Sequence, residues 1–143
     1  MPASYDIKIN TVSNKEQEAA MQAIRYEVFV EEQGCPHELE IEHDEEATRL
    51  LATADGIPAG AARWRKTDKG YKLERFAVLK QYRGKGVAQA MLKAIIDSLP
   101  ADASYVYLHA QIQAVGLYEK NGFVQEGPEF EEAGIRHYKM VLK

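Results

Sequence analysis

The sequence predicts a mixed α/β fold: a central, mixed and mostly antiparallel sheet flanked by helices on both faces. Three observations carry this. Some segments alternate apolar and polar residues with a period of two. Others, notably 84–98, repeat apolar residues at helical spacing. The two kinds interleave in the order β-α-(α)-β-β-β-α-β-α-β-β, without the strict β-α alternation of a parallel fold.

The elements follow in order. Tyr5, Ile7 and Ile9 alternate with Asp6, Lys8 and Asn10, a first strand. Ser13-Asn14-Lys15-Glu16 has capping-box form and opens a helix over about Asn14 to Val30. Gly34-Cys35-Pro36 ends it. Residues 37–47 are polar and read as a short helix or a loop. Thr48 to Ala54 is a strand, Asp55-Gly56 a tight hairpin turn and Pro58 to Lys66 the returning strand. Asp68-Lys69-Gly70 turns the chain into a fourth strand, Tyr71 to Leu79. From Gly84 to about Ser98, Val87, Met91, Ala94 and Ile95 share a helical face, and Pro100 stops the helix. Ser104 to His109 is a largely apolar, buried strand. Gln113 to Lys120 is helical and is capped by Asn121-Gly122. Phe123 to Gln125 and Arg136 to Val141 are the closing strands, joined by a polar loop.

Composition narrows the class. The 143 residues suit one domain, 1–143, with a single core. Hydrophobic residues make up 45% and charged residues 28%, as in a soluble globular protein. No apolar run approaches the roughly 20 residues of a membrane span. Met1-Pro2-Ala3-Ser4-Tyr5-Asp6 lacks the pattern of a secretory signal, so the expected location is the cytoplasm. Net charge is −4, against a nucleic-acid partner. A single cysteine, Cys35, excludes an internal disulfide and a multi-cysteine metal site, and no metal is expected. Acidic residues crowd Glu31 to Glu46, where only His37 and His43 could oppose them locally; the run is either a solvated surface or a site for a cation.

The functional signal lies at Val78-Leu79-Lys80-Gln81-Tyr82-Arg83-Gly84-Lys85-Gly86-Val87-Ala88. A strand stops, two glycines two apart follow, and a helix begins. Such a junction gathers backbone N–H groups at the positive end of the helix dipole and forms an anion site. Arg83 and Lys85 add formal charge. The run is not a Walker loop, and Gln89 stands where a dinucleotide fingerprint needs its third glycine.

The Gln81-x-x-Gly84-x-Gly86 pattern resembles the pyrophosphate-binding motif of the GNAT superfamily of acyl-CoA N-acyltransferases. A second stretch, from Gln111 to Phe123, resembles that family's N-x-x-A-x-x-x-Y-x-x-x-G-F signature. The two lie in the family's order, separated by one helix and one strand. The resemblance covers most of the chain from about residue 48. Gln111 departs from it, standing where the family often has asparagine, so the amide that meets the pantetheine arm is displaced by one methylene.

The resemblance implies an acetyl-CoA-dependent N-acetyltransferase acting on a small or peptide-borne primary amine. It implies that Phe76, Ala77 and Val78 face the cofactor arm, with a backbone N–H near Ala77 or Val78 as oxyanion donor. It implies that Gln81, Arg83, Gly84, Lys85, Gly86, Val87 and Ala88 hold the pyrophosphate, and that Gln111 and Tyr118 contact the rest of the cofactor. Tyr118 matches the motif tyrosine, the general acid for the departing thiolate. Many members place a base on the fourth strand, where Glu74 stands; pleat alternation puts Glu74, Phe76 and Val78 on one face. Glu74 is thus a base or a partner of Arg63, Arg65 or Arg75. His109 is a second candidate base, and His137 a weaker one.

The resemblance implies that the first third shapes the acceptor site, with Arg25, Phe29 and His109 as its candidate residues; the segments Arg25 to Gln33 and Glu42-His43-Asp44 loosely resemble those of acyl-homoserine-lactone synthases, which share the fold but take their acyl group from a carrier protein. The short chain and the two motifs favour acetyl transfer over that group. Cys35 has no assigned base and is not read as a nucleophile. The rival from another class is a catalytically silent acyl-CoA sensor, which would need Arg83-Gly84-Lys85-Gly86 but neither Tyr118 nor Glu74. A homodimer is compatible with an exposed sheet edge.

Overall fold

The computed structural model describes residues 5–143; the reading of Met1 to Ser4 lies outside them. Eight strands, β1 (Ile7–Thr11), β2 (Thr48–Ala54), β3 (Ile57–Lys66), β4 (Tyr71–Val78), β5 (Val106–Gln111), β6 (Phe123–Gln125), β7 (Phe130–Glu132) and β8 (Ile135–Leu142), follow the order β1-β2-β3-β4-β5-β8-β6, with β7 paired to β8. The described pairings β1–β2, β5–β8, β6–β8 and β7–β8 are antiparallel, and β4–β5 is parallel. This is the mixed, mostly antiparallel sheet expected. The chain divides into two compact units, residues 5–63 with 75–99 and residues 64–74 with 100–143.

In the first unit, β1 (Ile7–Thr11) precedes helix α1 (Lys15–Arg25). The Asn14 side chain caps α1 by accepting the Gln17 N–H at 2.8 Å, as the capping sequence requires. The helix does not run on to Val30 in α form. Tyr26–Glu32 is a π-helical segment, marked by Gln33 N–H donating to Val28 O at 3.2 Å. Widening the turn keeps Val28 and Phe29 in one apolar cluster with Met21, Ile24, Leu51, Ala61 and Ala77. The polar 37–47 segment forms α2 (His37–Glu40) and a 3₁₀ turn at Asp44–Glu46.

Strand β2 (Thr48–Ala54) turns through Asp55 and Gly56, both at positive φ, into β3 (Ile57–Lys66). That is the conformation a two-residue hairpin demands. Gly60 on β3 lies under α3 (Val87–Ser98): a Cβ there would sit 2.9 Å from Val87 Cγ1 and 3.0 Å from Ala77 O. Its missing side chain lets the first turn of α3 approach the strand.

Strand β4 is Tyr71–Val78. The alternation expected along it fails at Arg75, whose φ is 59°. Leu73 and Glu74 are both buried in consequence, so Glu74, Phe76 and Val78 cannot be placed on one face by counting pleats.

The second unit holds β5 (Val106–Gln111), a 3₁₀ turn at Ile112–Ala114, α4 (Val115–Glu119), β6 (Phe123–Gln125), β7 (Phe130–Glu132) and β8 (Ile135–Leu142). Strand β7 lies within the stretch read as a loop. Its three residues pair with β8, Phe130 opposite His137 and Glu132 opposite Ile135. Leu73, Val106, Leu108, Ala110, Phe123, Met140 and Val141 are among the buried side chains of this unit.

Candidate functional site

The first unit carries the glycine loop. After β4, a 3₁₀ turn at Lys80–Tyr82 leads to Arg83 and then to Gly84 and Gly86, with φ of 74° and 88°. Both angles suit glycine, and a Cβ at either position would meet nothing within 4 Å. The glycines are therefore required by backbone direction, and open space lies over them. The first helical bond of α3 is Ala90 N–H to Gly86 O, 3.0 Å. The N–H groups of Val87 and Ala88 come before that ladder, at the positive end of a 12-residue helix. This geometry fits a pyrophosphate.

Arg83 is engaged within the unit. Its Nη1 and Nη2 donate to both oxygens of Glu32, at 2.8 and 2.7 Å, and its Nε donates to Val78 O at 2.9 Å. The two-pronged bond holds the Glu32 carboxyl below its ordinary range and raises the guanidinium further. The Arg83 guanidinium is thus occupied by Glu32 and by the Val78 carbonyl. Leu79 N–H donates to Ala59 O at 2.9 Å beyond Val78.

The acidic segment is not opposed only by His37 and His43. Glu40 and Asp44 meet arginines from distant positions. Arg25 Nε donates to Glu40 Oε2 at 2.6 Å, and its Nη1 to Asp44 Oδ1 at 2.8 Å. Arg63 Nη1 donates to the same Asp44 oxygen at 2.6 Å. Arg75 donates to the carbonyls of Glu40 and Leu39, both at 2.9 Å. Arg25 and Arg63 are 1% and 0% exposed, and Glu40 is 3% exposed. These two carboxylates thus hold buried arginines. Phe29 is buried in the apolar cluster, and Arg25, also expected at the acceptor side, is enclosed by Met21, Glu40 and Asp44.

The second unit carries Tyr118, Glu74 and His109. Tyr118 on α4 is buried, its ring edge-on to Phe123 at 6.0 Å. Burial pushes the phenol well above its ordinary value, so it stays protonated across the physiological range. The Glu74 carboxylate accepts Arg65 Nε at 2.8 Å and lies 3.2 Å from Lys72 Nζ. Of the arginines expected as partners, Arg65 is the one seen in this unit. His109 Nδ1 lies 3.0 Å from Glu132 Oε2. Glu132 has no signal in the sequence, because its strand is recognisable only from pairing. Gln111, the last residue of β5, accepts a bond from Gln113 Nε2 at 2.7 Å.

Comparison with known proteins agrees with this architecture. The model of the acetyltransferase (GNAT) domain matches residues 11–143. YjcF of Bacillus subtilis (strain 168), an uncharacterized N-acetyltransferase, is 42% identical over 139 residues, covering 94% of this chain and 99% of its own. Among solved structures, an acyl-CoA N-acyltransferase from Pseudomonas aeruginosa superposes with a TM-score of 0.82 at 24% identity, over 98% of this chain and 100% of that one. Escherichia coli ElaA does so with a TM-score of 0.81 at 24% identity, over 96% and 99%. The structures show the same fold. The chain belongs to the GNAT acetyltransferase family, whose members transfer an acyl group from acyl-CoA to an amine.

Proposed function

We propose that this protein transfers an acetyl group from acetyl-CoA to a primary amine by direct attack. The observation that carries the reading is the Gly84–Gly86 loop at the head of α3, with its left-handed glycines, preceding N–H groups and two cations. Arg83 to Ala88 bind the pyrophosphate. A backbone N–H near Ala77 or Val78 receives the oxyanion, and Phe76 and Gln81 line the cofactor's path with them.

Magnitudes define what Tyr118 does. A thiol has a pKa near ~8.5 and an ordinary phenol near ~10. Burial raises this phenol further. Full transfer of its proton to the thiolate is thus uphill by at least about 2 kcal/mol, at 1.36 kcal/mol per unit. Tyr118 therefore supports the departing thiolate by donating a hydrogen bond, and the thiolate takes its proton from solvent.

Titration of the protein with acetyl-CoA in a calorimeter, with adenosine diphosphate and free CoA as controls, tests the reading. Micromolar binding of acetyl-CoA, tighter than that of the nucleotide, is expected. Absence of binding would refute it.

A further inference from the structure

We propose that His109, oriented by Glu132, is the general base that takes the proton from the attacking amine. This rests on the acyl-transfer reading above and names a residue for a step that reading leaves open. The requirement is chemical. A lysine-type amine is protonated at neutral pH (pKa ~10.4) and cannot attack until it loses a proton.

His109 has the features of a held base. Its Nδ1 faces Glu132 Oε2 at 3.0 Å. Glu132 is held below its ordinary range, chiefly by that bond, so it is an ionised acceptor and Nδ1 is the nitrogen that donates. In the neutral ring this leaves the lone pair on Nε2. Two aromatic rings fix the plane: Phe130 meets the imidazole edge-on at 4.9 Å, and Tyr107 lies at 6.1 Å. Phe130 is itself stacked on His137 at 5.8 Å, whose Nδ1 donates to Ile135 O at 2.7 Å. His137 is thereby placed as support, and His109 as the presented imidazole. The arrangement repeats the carboxylate–imidazole logic in which the acid sets the tautomer and the far nitrogen does the work.

Position agrees. On β5, Tyr107, His109 and Gln111 share a face. Gln111 begins the second motif and occupies the position assigned to the pantetheine arm. His109 stands one pleat repeat away, about 6.6 Å along the strand. Other charges bear on the pair. Lys139 on β8 lies opposite His109 in register, its ammonium over the Tyr105 and Tyr107 rings and 3.2 Å from Glu126. Lys72 on β4 and His137 on β8 act on Glu132 through space.

The step balances. The ammonium first gives one proton to His109 Nε2, which passes it to solvent; the neutral amine nitrogen then forms a bond to the thioester carbonyl carbon as the carbonyl electrons move to oxygen. The N–H proton passes to His109 Nε2. The oxyanion collapses, the C–S bond breaks, and the thiolate leaves toward the Tyr118 O–H. The imidazolium returns its proton to solvent, which protonates the thiolate.

The test measures CoA thiol release from acetyl-CoA with a panel of primary amines, as a function of pH, alongside calorimetric acetyl-CoA binding. The expected result for His109→Gln is a fall in kcat of about 100-fold or more, with acetyl-CoA affinity unchanged. His109→Ala should regain turnover with added imidazole, which a structural role would not allow. Glu132→Gln should shift the acidic limb of kcat/KM to lower pH, because a carboxylate no longer favours the imidazolium. Retention of kcat within threefold in His109→Gln would overturn the assignment while leaving the acetyltransferase reading intact. So would loss of the pH limb in Glu74→Gln but not in His109→Gln. A wild-type protein that fails to bind acetyl-CoA would overturn the acyl-transfer reading, and this assignment with it.

Discussion

Replacing Asp44 by asparagine should unfold this protein far more readily, although the segment around it looks like a solvated acidic surface. One oxygen of Asp44 accepts Arg25 at 2.8 Å and Arg63 at 2.6 Å. Glu40 supplies the second carboxylate, 2.6 Å from Arg25. Asp44→Asn keeps the size of the side chain but removes the charge that pairs with both Arg25 and Arg63, while Glu40 already meets Arg25 and, at 3.7 Å, Arg75. Breaking a buried pair from one side costs about 3–5 kcal/mol. The Asp44 side chain is 15% exposed, so water relieves part of this and the lower end, about 3 kcal/mol, applies. That is about a hundredfold in the folding equilibrium and, at 2–4 °C per kcal/mol for a chain near this size, about 6–12 °C in Tm. Urea denaturation and thermal melts followed by circular dichroism measure it. Glu38→Gln and Glu45→Gln, at exposed positions of the same segment, should fall within about 0.5 kcal/mol of wild type. An Asp44→Asn protein within about 1 kcal/mol of wild type would refute the buried-network account. The acidic run would then be free to serve as a site for a cationic acceptor.

Gly60→Ala should cost about 1–3 kcal/mol by overpacking, because Ala77 O at 3.0 Å is backbone and Val87 Cγ1 at 2.9 Å belongs to the first turn of α3; urea midpoints read it. Glu32→Gln should tighten acetyl-CoA binding by up to about fivefold, since both partners of the Arg83 pair are exposed and such pairs contribute about 0.2–1 kcal/mol; weaker binding would contradict it. Tyr118→Phe should lower kcat and leave acetyl-CoA affinity unchanged. Because burial raises the Tyr118 phenol, the wild-type rate should show no loss from its ionisation up to pH 10, the ordinary phenol value.

What could be read from sequence was local. The β2–β3 hairpin was legible because alternation on both sides and Asp55-Gly56 between them specify one turn. The glycine loop was legible because the two glycines and the start of α3 lie within a few residues. The π-helical stretch was not, since the spacing of Val28 and Phe29 reads as helix without showing how many residues the turn holds. Strand β7 was missed because its three residues are defined by β8, not by their own pattern. The Arg25–Glu40–Asp44–Arg63 network joins positions up to 38 apart in sequence, from Arg25 to Arg63. No charge count over a window could reveal it. The same holds for His109 and Glu132, 23 residues apart. The kink at Arg75 follows from its donors reaching the Leu39 and Glu40 carbonyls at the end of α2, a tertiary demand that overrides the pleat.

That kink also bears on which group in the second unit can accept a proton. Counting along β4 favours Glu74, a carboxylate on the expected strand. Its partners argue the other way. Arg65 at 2.8 Å and Lys72 at 3.2 Å are both cations at neutral pH. Protonating Glu74 would weaken two charge-assisted contacts, each contributing about 1.5–3 kcal/mol. Nothing in the attack of an amine returns that energy. The His109–Glu132 pair has the opposite response. Protonating the imidazole adds a charge beside an ionised carboxylate and strengthens the contact already made at Nδ1. A base is a group whose surroundings reward the gained proton, and of these two it is the histidine that is so placed.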